Sequence, residues 1–194
     1  MKKWSTKDII IIALIGFLFG GIFLATSLVY VPLKAALGAV GYAPFANSIL
    51  FGLWVMAGPV AAVLIQKPGS ATLGEVLGAL AEMLYGSYFG AAVLISGLVQ
   101  GVGSEVGFLA TRYKRYDTFS LFLSAVGITL FSFAYKYFQA GYEAFSVGMI
   151  LAILIVRFIS VFFFGVICVK LILNIVNKAV SYTHLRAHET KANL

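Results

Sequence analysis

Apolar residues run along this chain in long uninterrupted blocks, and polar ones gather between them. Positions 9 to 33, 35 to 66 and 83 to 104 hold no charged residue. Each block exceeds the roughly 20 residues that cross about 30 Å of hydrocarbon. Three spanning helices follow, Ile9 to Val29, Ser48 to Ile65 and Ala91 to Ala110, with Phe119 to Tyr137 as a fourth. Ser146 to Leu173 is interrupted by Arg157. Either half alone would reach only about 20 Å at the helical rise, so the run reads as one long helix with a buried Arg. Gly69 to Tyr85 carries Glu75 and Glu82 and is the weakest span by hydropathy, but without it the loops around the next span fall on the wrong face. The pattern predicts an all-α, polytopic membrane protein with six transmembrane helices, a single domain over residues 1–180, and no repeat or separate soluble domain. Val31 to Asn47 is too short to span and too apolar for a solvated loop, so it is expected to lie at the outer mouth as a lid or an interfacial half-helix.

Composition agrees and excludes a water-soluble globule. Of 194 residues 61% are apolar and 11% charged, with a mean hydropathy of +1.00, where a soluble domain carries about a quarter charged. The net charge of +7 is explained by topology. With six spans the inner segments hold Lys2, Lys3, Lys7, Lys67, Arg112, Lys114, Arg115, Lys170 and Lys178, and the outer ones only Lys34 and Lys136. The positive-inside rule then places both termini in the cytoplasm. A nucleic-acid partner is excluded, because no basic face lies outside the short inner loops. Lys2 and Lys3 before an apolar run mimic a signal peptide, but the length of the run and the spans that follow favour a retained first helix. Cys168, the single cysteine, sits in an apolar run and reads as a buried structural thiol.

An ionisable group inside a bilayer points to function unless it is paired for structure. At 100° per residue Ala71, Glu75, Gly78, Ala79 and Glu82 share one face of the third span, opposite Leu73, Leu77, Leu80 and Leu84, which are expected to meet lipid. Glu82, near the outer end, is the prime ligand candidate. Glu75 is expected to act structurally beside Lys67 or Arg157. In the fourth span Ser96, Gly97, Gln100, Gly103, Ser104 and Gly107 share a face, which puts Gln100 near mid-membrane in a groove of small residues. Glu105 is expected to partner a basic group on a neighbouring helix. Arg157 needs a carboxylate, and Glu82, Glu75 and Glu105 are the candidates. Aromatics crowd the outer half, among them Tyr42, Phe45, Trp54, Tyr85, Tyr88, Phe89, Tyr135 and Tyr137. Most suit an interfacial belt. Trp54 lies deeper, where a ring beside a carboxylate and an amide suits a flat cationic heteroaromatic ligand.

There is no phosphate-binding Gly-rich loop ending in Lys-Ser/Thr, so the chain is not expected to hydrolyse ATP itself. No His lies in any span. His184 and His188 have the i, i+4 spacing of a metal pair, but they sit in the polar tail SYTHLRAHETKANL at 181–194, which resembles a translated sequencing-adaptor fragment and reads as non-native.

The stretch KPGSATLGEVLGALAEMLYG at 67–86, followed by GLVQGVGSEVGFLATRYKRY at 97–116, resembles the YkoE-type substrate-binding S components of energy-coupling factor (ECF) transporters. The resemblance extends to about Lys178. It implies a non-catalytic six-helix subunit in a prokaryotic cell membrane, with no cofactor. Thiamine or its hydroxymethylpyrimidine (HMP) precursor would be taken from outside and delivered through a transmembrane coupling (T) subunit and cytoplasmic ATPases. Glu82, Gln100, Trp54, Tyr42, Asn47, Tyr85 and Tyr135 are the expected ligand contacts. Gly16, Gly20, Gly21 and Ala25 are the expected contact with the coupling subunit. Other readings of the same residues are an S component for another vitamin or base, or a small proton-coupled secondary transporter.

Overall fold

The structure, a computed structural model, describes residues 3–178. The 181–194 tail, its two histidines and Lys2 lie outside the described residues. All regular structure among those described is helical. The helices are α1 (Thr6–Gly38), α2 (Ala43–Ile65), α3 (Ser70–Leu84), α4 (Ala92–Ala110), α5 (Thr118–Gln139) and α6 (Val147–Lys178). All but α3 are long and apolar enough to cross a membrane. With 15 residues, α3 is about 22 Å long and packs along α1, α2 and α4. The chain is a multi-pass membrane protein.

Local chemistry sets the helix ends. Ser5 and Asp8 form a reciprocal capping box at the start of α1, and Lys67, after α2, reaches across to pair with Asp8 and donates to the Lys3 carbonyl at 2.6 Å. Glu105 of α4 accepts from the Gly69 and Thr72 amides at 2.7 and 3.1 Å, which satisfies the open start of α3. It therefore caps a helix and does not partner a basic group. These bonds gather the start of α1, the ends of α2 and α4 and the start of α3 at one end of the bundle, the Lys67 end. At the start of α5 the Asp117 carboxylate accepts from the Phe119 and Ser120 amides, and its hydrogen bond from Arg115 holds its pKa below the usual carboxylate value. A depressed carboxylate stabilises above its unfolded pKa of about 4 and loses that contribution as pH falls through its lowered value. Asp117→Ala should therefore melt below the native protein at pH 7, and a gap that persists undiminished at pH 3 would contradict this cap.

The sequence-based lid is corrected. α1 continues as one helix of 33 residues through Val31–Gly38, and α2 begins four residues after it ends. The Leu- and Ala-rich sequence on either side of Pro32 carries the helix on, and Pro32 lies on an exposed face, removing one hydrogen bond from an otherwise favourable run.

Small residues bring the helices close, as expected where lipid supplies no hydrophobic drive for helices to associate. A Cβ on Gly103 of α4 would sit 2.8 Å from the Gly127 carbonyl oxygen of α5, and one on Gly107 would overlap the Ser124 backbone. Ser104 and Ser124 share a hydrogen bond of 2.8 Å in the same seam. On α1 a Cβ at Gly16 would lie 2.7 Å from Leu77 Cβ, and Gly20 is closed off by Ala81 and Glu82. Gly16 and Gly20 thus serve contact within the chain, and only Gly21 and Ala25 of the expected partner face are exposed. Leu77, expected to meet lipid, packs instead on α1, whereas Leu73 and Leu84 are exposed.

Inside the membrane α2 changes course. Residues Phe51–Val55 tighten into a 3₁₀ turn between Ala43–Leu50 and Ala57–Ile65. Such a break displaces backbone amides from the helical ladder. Two of them find side chains on other helices: Gly58 N donates to Glu75 Oε2 at 2.7 Å, and Gly52 N to Ser160 Oγ at 3.0 Å.

Candidate functional site

The turn in α2 presents Trp54 to the middle of the bundle. Trp54 is buried, and its Nε1 donates to the Phe23 carbonyl of α1 at 3.1 Å. Its one polar atom is thereby satisfied, and the ring faces remain. Tyr30 lies edge-on at 5.9 Å and Phe89 at 5.8 Å, and Tyr30 and Phe89 are 5.2 Å apart. Tyr88 joins them, 5.1 Å from Phe89, so four rings from three segments form one cluster.

Trp54 and Phe89 also wall a cavity of about 680 Å³ including its open mouth, lined by residues of α1 to α6. Its wall carries Trp54, Glu82, Gln100, Tyr135, Asn47 and Arg157 together with Phe51 and Phe89. Glu82 is buried, and its Oε1 accepts from Ser27 at 2.6 Å and from Ser87 at 2.9 Å. Both bonds fall on one oxygen, so among the described residues Oε2 has no donor. Gln100 is oriented by chemistry: with its nitrogen toward the Trp54 carbonyl and Glu75 Oε1, it donates at 3.2 and 3.3 Å, whereas the reverse would set oxygen against oxygen. Its amide oxygen is then the group left over. The cavity therefore offers two acceptor oxygens beside a Trp face, which suits a flat ligand with donor groups or a positive charge.

Arg157 of α6 is fully buried, and among the described residues no carboxylate pairs with it. Its guanidinium donates to Asn47 Oδ1 at 2.7 Å, Ser132 Oγ at 3.1 Å and Ser48 Oγ at 3.5 Å, and lies 4.0 Å from the centre of the Phe51 ring. Neutral oxygens and an aromatic face hold the charge. Glu75 likewise meets neither Lys67 nor Arg157: it serves the Gly58 amide and touches Gln100.

Of the seven expected ligand residues, the fold brings Glu82, Gln100, Trp54, Asn47 and Tyr135 to the cavity. It does not bring two. Tyr42 is 55% exposed and stacks edge-on with Phe45. Tyr85 lies against the side of α1, its hydroxyl donating to the Phe17 carbonyl at 3.2 Å. Ser132, Lys136 and Gln139, which are not among the expected contacts, join Tyr135 on the wall. Their i, i+3, i+4, i+7 spacing was a signal available on α5.

Residues 7–131 match the family model described as an ABC-type cobalt transport system, permease component. A protein of Bacillus subtilis (strain 168) named as an HMP/thiamine permease, YkoE, is 36% identical over 183 residues, 94% of this chain and 87% of its own length. A crystal structure titled as an S-component of an ECF transporter superposes with a TM-score of 0.84 at 31% identity, covering 96% of this chain and 98% of the other. Together they define the class, a membrane-embedded permease component of a transporter. The chain belongs to the YkoE-type S components of ECF transporters, and is accordingly a non-catalytic subunit.

Proposed function

We propose that this chain captures thiamine or its HMP precursor on the extracellular side, and that uptake is driven by ATP hydrolysis in partner subunits. The observation that carries this reading is the pair of unengaged acceptor oxygens, Glu82 Oε2 and Gln100 Oε1, in one cavity with the Trp54 ring. An aminopyrimidine has an exocyclic amine to give to such acceptors and a flat face for the indole. A thiazolium adds a positive charge for Glu82 to neutralise. The printed name of the Bacillus relative supports the same ligand class. In this orientation the cavity end faces outward and the Lys67 end, with Arg112, Lys114 and Arg115, lies in the cytoplasm.

Titration calorimetry of purified protein tests the site. Glu82→Gln and Trp54→Ala should each weaken thiamine binding tenfold or more, since a charged hydrogen bond or stacked ring contributes about 1.5 to 3 kcal/mol. Unchanged affinity in both variants would remove these residues from the site. Accumulation of thiamine by this chain alone in liposomes, driven by a pH gradient, would overturn the partner-driven mechanism. Gly21 and Ala25 form the exposed remainder of the expected coupling-subunit face. Gly21→Trp should bind ligand like the native protein yet fail in uptake when partner subunits are present.

A further inference from the structure

A second, open chamber of about 510 Å³ including its mouth shares two wall residues with the main cavity, Asn47 and Lys136. Lys34 of α1 and Lys136 of α5 both line it. They are the two basic residues that the sequence places on the outer face, where lysines are disfavoured. Arg157 lies just beyond Asn47, which accepts from it. None of these three cations has a carboxylate partner: the ion pairs among the described residues are Lys67 with Asp8 and Arg115 with Asp117. Lys136 Nζ donates to the neutral amide of Gln139 at 2.7 Å, and Lys34 stands 5.8 Å from the Tyr30 ring centre. Among the described residues no acidic side chain lines this chamber. Tyr30 and Tyr142, which do, are 7% and 3% exposed, and neither hydroxyl bonds to another described residue. The two lysine ammoniums and two phenol hydroxyls around this space have no anionic partner among the described residues.

Resting on the ligand reading above, we infer that this chamber is an anion subsite. It holds the phosphate of a phosphomonoester whose ring system occupies the main cavity. Thiamine and HMP each carry a primary hydroxyl that can bear such a group. A phosphate supplies several strong acceptor oxygens and up to two negative charges, which suits lysines as point charges and phenols as donors. Asn47 and Lys136 line both spaces, so the ring system and its phosphate would meet at these two residues. The main cavity's carboxylate, Glu82, lies outside this chamber's lining.

The test compares thiamine with thiamine monophosphate by calorimetry in zwitterionic phosphatidylcholine nanodiscs. The native protein should bind the ester at least as tightly as the alcohol. In Lys34→Gln, Lys136→Gln and the double variant, the ratio of ester to alcohol dissociation constants should rise, by tenfold or more in the double. An ester that binds the native protein tenfold more weakly than the alcohol, or a ratio unmoved by the double variant, would overturn the subsite. A second measurement does not depend on the ring ligand: inorganic phosphate should slow amine-reagent labelling of Lys34 and Lys136, read by mass spectrometry. If thiamine and its ester both fail to bind while phosphate protects, the ring-ligand reading falls and the anion site stands. If phosphate gives no protection, the anion site falls. If phosphatidylglycerol protects the lysines and phosphate cannot compete, the chamber holds a lipid headgroup and the inference is wrong.

Discussion

Gly107→Leu is expected to eliminate monodisperse, folded protein from detergent extracts. The position a Cβ would take is filled by the backbone of Ser124 on α5, and backbone cannot rotate away as a side-chain tip can. Overpacking in a soluble core costs about 1–3 kcal/mol, and more where nothing can yield. Here α4 and α5 must part along the whole seam, breaking the Ser104–Ser124 hydrogen bond and the approach of Gly103 to Gly127. A loss above about 4 kcal/mol follows, in the range reserved for such core defects. Size-exclusion profiles and thermal melting give the readout, with Gly21→Ala as control, since a Cβ there meets nothing within 4 Å. A Gly107→Leu protein that elutes and melts like the native one would refute this packing.

The second large effect concerns Arg157, and its sign depends on which partner is removed. Asn47→Leu leaves a buried guanidinium without its closest acceptor, and stranding a buried charge costs about 3–5 kcal/mol. Arg157→Met removes the charge itself and keeps most of the volume. It should therefore be milder, and the double variant should resemble Arg157→Met rather than the sum of the two. At about 2–4 °C per kcal/mol for a chain of this size, Asn47→Leu should melt at least about 6 °C below the native protein. Equal melting of the two single variants would mean that Ser132, Ser48 and the Phe51 ring carry the charge without Asn47.

The spans were legible because membrane insertion writes itself in hydropathy: charge-free runs placed the helices, and even Arg157 did not hide the continuity of α6. The end of α1 was not legible. Beyond Val29 the sequence has lost its uniform apolarity but not its helix propensity, and only packing decides between a lid and about two and a half more turns. The periodicity of α3 and α4 correctly turned Glu82 and Gln100 inward. It could not separate them from Glu75, which faces the same way and serves backbone. Tyr42 and Tyr85 show the limit of reading depth without azimuth, because each lies at the right level and points away from the cavity. The carboxylate sought for Arg157 failed for a physical reason. A guanidinium is satisfied by several neutral oxygens and a ring face, and no charge rule identifies those in advance.

The break in α2 has a bearing on how acidic residues in such membranes are interpreted. The Gly58 amide freed there is met by Glu75 across the helix interface, so this carboxylate is in effect a substitute for a backbone carbonyl that the turn has moved out of reach. Losing it would unseat α2 from α3 and slacken the turn that presents Trp54. In a survey of uptake-defective variants Glu75 and Glu82 would look alike, although one completes the architecture and the other faces the cavity. Ligand affinity measured on protein that still folds would tell the keystone from the doorway.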